Sequence, residues 1–287
     1  MKKSILFVLL FGLSITFAYN IAYIPEIDTS SIGYDEVNCL NLFGDSSLFN
    51  PASLSFASKY QISFSYYDYL NLGILNLQQL YVKQPLKNGF AGLLAVQRTY
   101  SNQPETKFDN WIYDYRFSTA TKNLSIGVSL KYITENSFYY EDESNSNVSY
   151  VTGDLGIITL TNGFSIGGLA KNILTYKLSA YALDVSPEYI FGIGYANKVF
   201  TIEANGGKSF NETPMWGGVS SALKIGNVTL MGGGKVDTDF QSYSLKDASF
   251  GIKINVFNLI INYAYKYTFL SKTNSLQSNF LTFSFMW

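Results

Sequence analysis

Asn279-Phe280-Leu281-Thr282-Phe283-Ser284-Phe285-Met286-Trp287 alternates along its length and finishes on an aromatic residue. In a strand, Leu281, Phe283, Phe285 and Trp287 point to one face, and Thr282 and Ser284 to the other. A row this apolar needs a lipid or protein cover. The last strand of a bacterial outer-membrane barrel has that cover, because it closes the cylinder and sets its terminal aromatic at the lipid boundary.

The other end agrees. Met1-Lys2-Lys3 precedes the apolar run from Ile5 to Phe17 and then Ala18, with Thr16 three positions before the expected cut. The run is too short for a spanning helix and reads as a secretory signal over residues 1–18. Its removal leaves 269 residues with 18 basic against 21 acidic side chains, a net charge of −3. With Arg98 and Arg116 the only arginines, this balance argues against nucleic acid as a partner. Tyr and Phe contribute 23 and 22 residues, which favours strands and aromatic belts. No later stretch is continuously apolar for 18 residues, so helical spans are not expected. Cys39 is alone and cannot form an internal disulfide; it reads as a small buried or half-buried side chain.

Period-two patterning recurs along the chain. Leu124, Ile126, Val128, Leu130 and Tyr132 alternate with Ser125, Gly127, Ser129 and Lys131. Trp111, Tyr113, Tyr115 and Phe117 alternate with Ile112, Asp114 and Arg116, and the row Phe257 to Phe269 alternates with Asn258, Asn262, Ala264 and Lys266. Strands are expected near 60–69, 74–84, 89–100, 109–118, 124–135, 148–160, 164–171, 188–196, 199–206, 214–224, 227–235, 246–255, 258–269 and 278–287. Links after even-numbered strands are short, such as Thr161-Asn162-Gly163, Asn197-Lys198, Ile225-Gly226 and Val256-Phe257. Links after odd-numbered strands are mostly longer, such as Asn136 to Asn147, Asn172 to Pro187 and Val236 to Leu245. Alternating short and long links suit tight periplasmic turns and longer outer loops. The expected fold is all-β: a 14-stranded antiparallel transmembrane β-barrel over residues 60–287, in the bacterial outer membrane. The sheet must close, since an open edge in lipid strands backbone hydrogen-bonding groups.

Residues 19–59 break the pattern and read as an N-terminal plug segment. Asn50-Pro51-Ala52 is a turn signal, because proline holds the preceding residue extended. The run Gly44-Asp45-Ser46-Ser47-Leu48-Phe49-Asn50-Pro51-Ala52-Ser53-Leu54 resembles the "D-x-S-A-L-F-x-N-P-A-x-L" signature of the FadL-like outer-membrane superfamily. It departs in having Ser47 for Ala and no residue between Phe49 and Asn50. Gly127 to Ile133, Asp154-Leu155-Gly156, Ala170 to Ile173 and Asn262 to Tyr265 follow in the order seen in the PorV branch of that superfamily. The resemblance runs from about residue 30 to the end. It implies a fourteen-stranded barrel plugged by its N-terminal segment, which coincides with the independent strand assignment.

The sequence contains no histidine, which removes Ser-His-Asp hydrolysis and His-based zinc sites. With one Cys, thiolate clusters are out too, so no catalytic residue, metal or cofactor is expected and the chain reads as a non-enzyme. Asp114, Arg116, Lys131, Asp154, Glu203, Lys253 and Lys266 are expected as lumen charges that pair with one another and with the plug. The region Glu135 to Glu143, with Phe138-Tyr139-Tyr140-Glu141-Asp142-Glu143, reads as a solvated acidic, aromatic outer loop, with a divalent ion as the alternative occupant. The groups Gly206-Gly207, Gly217-Gly218 and Gly232-Gly233-Gly234 do not follow a phosphate-loop pattern; they predict bulges or points where plug backbone nears the wall. The superfamily resemblance implies uptake or passage of a hydrophobic small molecule, with Leu42, Phe43, Leu48, Phe49, Leu174, Tyr176 and Tyr181 as candidate contacts. The PorV resemblance implies the alternative: a barrel that binds a secreted or surface protein, or a structural one, and transports no solute. Outer-membrane lipid is the expected surroundings, and the C-terminal strand the expected signal to the barrel-assembly machinery.

Overall fold

A computed structural model describes residues 39–40, 48–69, 75–103, 106–139, 144–179, 185–210, 215–238, 243–269 and 275–287. The expected signal peptide lies outside them, as do most of residues 19–47, Leu70 to Gly73 and the acidic Glu141-Asp142-Glu143. After a 3-10 helix at Pro51–Phe56 come fourteen strands: β1 (Gln61–Tyr69), β2 (Leu75–Lys87), β3 (Phe90–Gln103), β4 (Thr106–Ala120), β5 (Leu124–Tyr139), β6 (Ser144–Thr161), β7 (Phe164–Lys177), β8 (Glu188–Ala196), β9 (Phe200–Ser209), β10 (Met215–Ile225), β11 (Val228–Thr238), β12 (Tyr243–Val256), β13 (Leu259–Phe269) and β14 (Ser275–Met286). Each pairs antiparallel with its chain neighbours, and β1 pairs with β14 from Gln61↔Met286 to Asp68↔Asn279 to close the cylinder. The terminal residue completes the seam: the Trp287 backbone N–H donates to the Tyr60 carbonyl at 3.2 Å, and the two rings stack at 5.8 Å.

Alternation sets the two faces. On β5, Ile126, Val128, Leu130 and Tyr132 are exposed while Ser125, Gly127, Ser129 and Lys131 are buried. On β14, Phe283, Phe285 and Trp287 are exposed while Thr282 and Ser284 are buried. The outward surface is therefore a continuous aliphatic and aromatic band, and the inward surface is polar, as a barrel in lipid requires. Ring pairs mark the short-turn rim: Phe90 with Phe117 and Phe164 with Tyr195, each at 4.9 Å. Trp111, Tyr113 and Tyr132 stack farther up the wall.

The turns on one rim are tight. Asn88-Gly89 and Asn162-Gly163 have positive φ at both positions, the geometry that matches the twist of a two-residue hairpin. The sixth turn differs from expectation by one residue. It is Phe257-Asn258, so Phe257 leaves the outward row of β13 and sits fully exposed in the turn with φ of 53°. The opposite rim also departs from expectation. β5 and β6 run to Tyr139 and from Ser144, so most of the expected loop from Asn136 to Asn147 is ladder. β7 likewise extends to Lys177, and only residues 239–242 separate β11 from β12. The wall is thus uneven: β6 has 18 residues and β8 has 9, whereas crossing the hydrocarbon takes about 9–11.

Candidate functional site: plug and outer mouth

Asn50 organises the plug. Its extended backbone (φ −117°, ψ 118°) suits a residue before proline, and its side-chain oxygen accepts from Ala52 N–H at 3.0 Å to cap the 3-10 helix. Its amide nitrogen donates to the Cys39 carbonyl at 2.8 Å and reaches the Gly168 carbonyl on β7 at 3.4 Å. The helix then fastens to the lower wall: Ser125 Oγ donates to the Ala52 carbonyl at 2.5 Å, and Ser55 meets Ser118 at 2.8 Å. Leu48 and Leu54 pack on Tyr81, Ala91, Leu93 and Ala95 of β2 and β3, and Leu40 and Ala52 pack on Ile158 of β6.

The close approach depends on inward glycines. A Cβ on Gly127 would collide with the Pro51 backbone, and one on Gly156 with the Asn50 side chain. These glycines, with Gly167 beneath Leu40, form the plug cradle. The groups picked out by the sequence do other things. Gly207 makes room for the Trp216 indole, while a Cβ on Gly217, Gly232 or Gly234 would meet nothing nearer than a neighbouring strand's carbonyl. The bulge in that region falls just beyond, between Lys235 and Val236.

A second set of contacts ties the plug to β7–β11. Glu203 accepts from Leu40 N–H at 2.7 Å and from Asn205 Nδ2 at 2.9 Å. The Lys171 ammonium lies 4.0 Å from the Phe49 ring centroid and 3.7 Å from Glu188, whose carboxylate accepts from Trp216 Nε1 at 2.9 Å. Lys235 in turn sits over the Trp216 ring at 4.7 Å. Cys39, Phe49, Leu169 and Ile190 pack together beneath this relay. Burial pushes the Cys39 thiol well above its ordinary range, and the nearby Glu203 charge adds to the rise.

Above the plug the inner wall is ionic. Arg116 pairs with Asp114, and both are fully buried. Lys131 meets Asp154 at 2.7 Å, and Asp154 also accepts from Ser129 Oγ at 3.1 Å and from Asn172 N–H at 2.9 Å. Across the lumen Lys266 and Asp247 are 3.4 Å apart, and Lys253 is likewise buried. All seven of the lumen charges named from sequence thus project inward. Such pairs add little net stability, but removing one partner leaves a costly buried charge.

Higher still, the character changes again. Ile112, Ile133, Val148 and Tyr150, all inward-facing and almost wholly buried, form an apolar patch on β4–β6, and Val185 packs across it. Ile112 belongs to the inward row of Asp114 and Arg116; an aliphatic residue in a charged row was the available signal for this patch. Beside it, β7 carries a bulge: Asn172 has φ of 55°, and the register slips between Gly153 and Leu155. The ladder to β8 ends at Lys171↔Glu188, so β7 from Asn172 to Lys177 pairs with β6 on one side and, among the described residues, with no strand on the other, a notch in the ladder.

The seven candidate ligand contacts scatter. Leu48 and Phe49 are buried in the plug. Leu174 and Tyr176 point outward, 74% and 70% exposed, flanking Thr175, whose hydroxyl meets inward Thr152 at 3.1 Å. Leu42, Phe43 and Tyr181 lie outside the described residues. No group of three or more Cys, Asp or Glu among the described residues is placed to hold a metal ion.

No family model matches the chain, and no curated protein matches it. Solved structures do. The toluene transporter TodX of Pseudomonas putida superposes with a TM-score of 0.61 at 12% identity, over 83% of this chain and 91% of that one. The toluene transporter TbuX of Ralstonia pickettii gives 0.60 at 11%, over 83% and 92%. A FadL homologue from Pseudomonas aeruginosa gives 0.56 at 14%, over 91% and 97%. At these identities the likeness is one of fold: a closed 14-stranded antiparallel β-barrel.

Proposed function

We propose that this barrel admits hydrophobic small molecules from the outer side and passes them toward the membrane rather than through an aqueous pore. The observation that carries the reading is the layering of the inner wall. An apolar patch at the mouth sits above a layer of buried ion pairs and a bonded plug, and the β7 notch lies beside it. An apolar molecule held on Ile112, Ile133, Val148 and Tyr150 faces a desolvation barrier below, since crossing paired charges strips their solvation and interrupts their bonds. The sideways path past Asn172 meets Leu174 and Tyr176, which gives those two outward residues their place as contacts. Leu48 and Phe49 act as packing for the plug. The matched structures are transporters, not enzymes, and the absence of histidine fits a role without chemistry.

Uptake of a hydrophobic fluorescent dye by cells producing the protein tests the reading. Wild type accelerates dye entry several-fold over cells without it, and Ile112→Glu with Ile133→Glu abolishes the gain; equal rates in all three would sink the proposal. A protein-binding role of the PorV kind is the second reading, favoured by the height of β5 and β6 above the lipid band. It predicts that trimming the β5–β6 tip abolishes capture of a secreted protein and leaves dye entry unchanged.

A further inference from the structure

The apolar mouth has a polar corner. On the inner face, Gln97 stands opposite Ile112, and Asn110 stands opposite Thr99 on one side and Glu135 on the other. Gln97 and Asn110 are therefore diagonal neighbours across β3 and β4, about 7–8 Å apart at their backbones. Both are almost wholly buried, at 1% and 2% exposure. Gln97 Oε1 accepts from Gln79 Nε2 at 3.1 Å, which turns the Gln97 amide nitrogen away from β2. That nitrogen and Asn110 Oδ1 have no hydrogen-bond partner among the described residues. A buried donor and a buried acceptor thus stand unsatisfied on the rim of an apolar surface, where each costs free energy until something bonds it.

We infer that this corner selects the ligand: the mouth takes an apolar molecule carrying a single hydroxyl, and rejects the corresponding carboxylate. A hydroxyl is the smallest group that donates to Asn110 Oδ1 and accepts from Gln97 Nε2 with one oxygen. The hydrocarbon part then lies over Ile112 and Ile133, displacing Val185. A plain hydrocarbon fills the patch and leaves both amides unbonded. A carboxylate has no proton for Asn110 Oδ1, and it brings its charge to the strand position beside Glu135, itself a buried carboxylate. Sites built to bond a hydroxyl discriminate strongly against analogues lacking it, because their own polar groups go unpaired.

The inference rests on the hydrophobic-passage reading, and three probes of one shape separate the two. Toluene, p-cresol and p-toluate are titrated against the full-length barrel in detergent, with binding read by saturation-transfer NMR. p-Cresol is expected to bind at least tenfold tighter than either of the others. Asn110→Leu reduces its advantage over toluene to within about twofold, and Gln97→Leu does the same from the other amide. A barrel that retains toluene but shows no preference for p-cresol overturns the selectivity and leaves the passage reading standing. p-Toluate binding as tightly as p-cresol overturns it too, as does an unchanged ratio in both variants, which would assign the amides to buried water. Absence of binding by all three would overturn both. Resistance to heat on a semi-native gel certifies that each variant is folded.

Discussion

Cys39 reports on the plug from within. Its side chain has no accessible surface and its thiolate is disfavoured by burial and by Glu203, so the folded protein resists maleimide. Glu203→Ala removes the acceptor of the buried Leu40 N–H, which costs about 1 kcal/mol. Labelling of Cys39 then accelerates roughly fivefold as the plug loosens. Gly156→Ala acts on the same plug sterically. Its methyl falls on the Asn50 side chain, and overpacking of this kind costs about 1–3 kcal/mol. Here too Cys39 labels faster, while an alanine at Gly217, where the nearest atom is 4.0 Å away, leaves the rate unchanged. Neither effect was legible in the sequence. Leu40 and Glu203 are 163 residues apart, and whether a glycine faces the plug or the lipid depends on which strands curl beneath residue 50.

Strands were legible because lipid on one side and polar lumen on the other force an unbroken alternation, and all fourteen fall where it placed them. Their ends were less so, since nothing in the period of two says how far a wall rises beyond the membrane. The bulge on β7 was invisible for another reason: Asp154, Lys131 and Asn172 sit on three different strands. Removing the carboxylate with Asp154→Ala takes one ion-pair partner from Lys131 and leaves the buried Asn172 N–H without its acceptor, a loss of about 1–3 kcal/mol. Asp154→Asn, which keeps an acceptor for Asn172 N–H and Ser129 Oγ, loses less, as read from unfolding midpoints in urea. The Phe257-Asn258 turn predicts a gain instead. A non-glycine residue at φ of 53° costs about 1–2 kcal/mol, so Phe257→Gly raises the unfolding midpoint in detergent, where no bilayer anchors the ring.

At the level of the whole molecule, the seam between β1 and β14 decides whether there is a barrel at all. Eight residue pairs close it, from Gln61↔Met286 to Asp68↔Asn279. Deleting residues 275–287 exposes one edge of β1 and one of β13, and each unpaired backbone group in lipid costs several kcal/mol. The truncated chain is expected to give no heat-modifiable band on a semi-native gel, whereas Phe285→Ala retains it. The chain's polar and apolar layers likewise belong to the closed cylinder. Ile112 and Asp114 are neighbours on one row of a single strand, and only their height in the barrel makes one a mouth and the other a floor.

The seam also fixes a sequence of events. Its partners lie at opposite ends of the sheet, the most distant contacts the polypeptide can make, so closure waits for synthesis to finish and for loop entropy to be overcome in one late step. The Asn50–Phe56 segment is bonded to β4, β5 and β7 on the inside. Those three strands lie well inside the sheet, away from the seam, so the wall that holds the segment needs no closed cylinder: the plug's bonds can form while the sheet is still an open, curling ribbon.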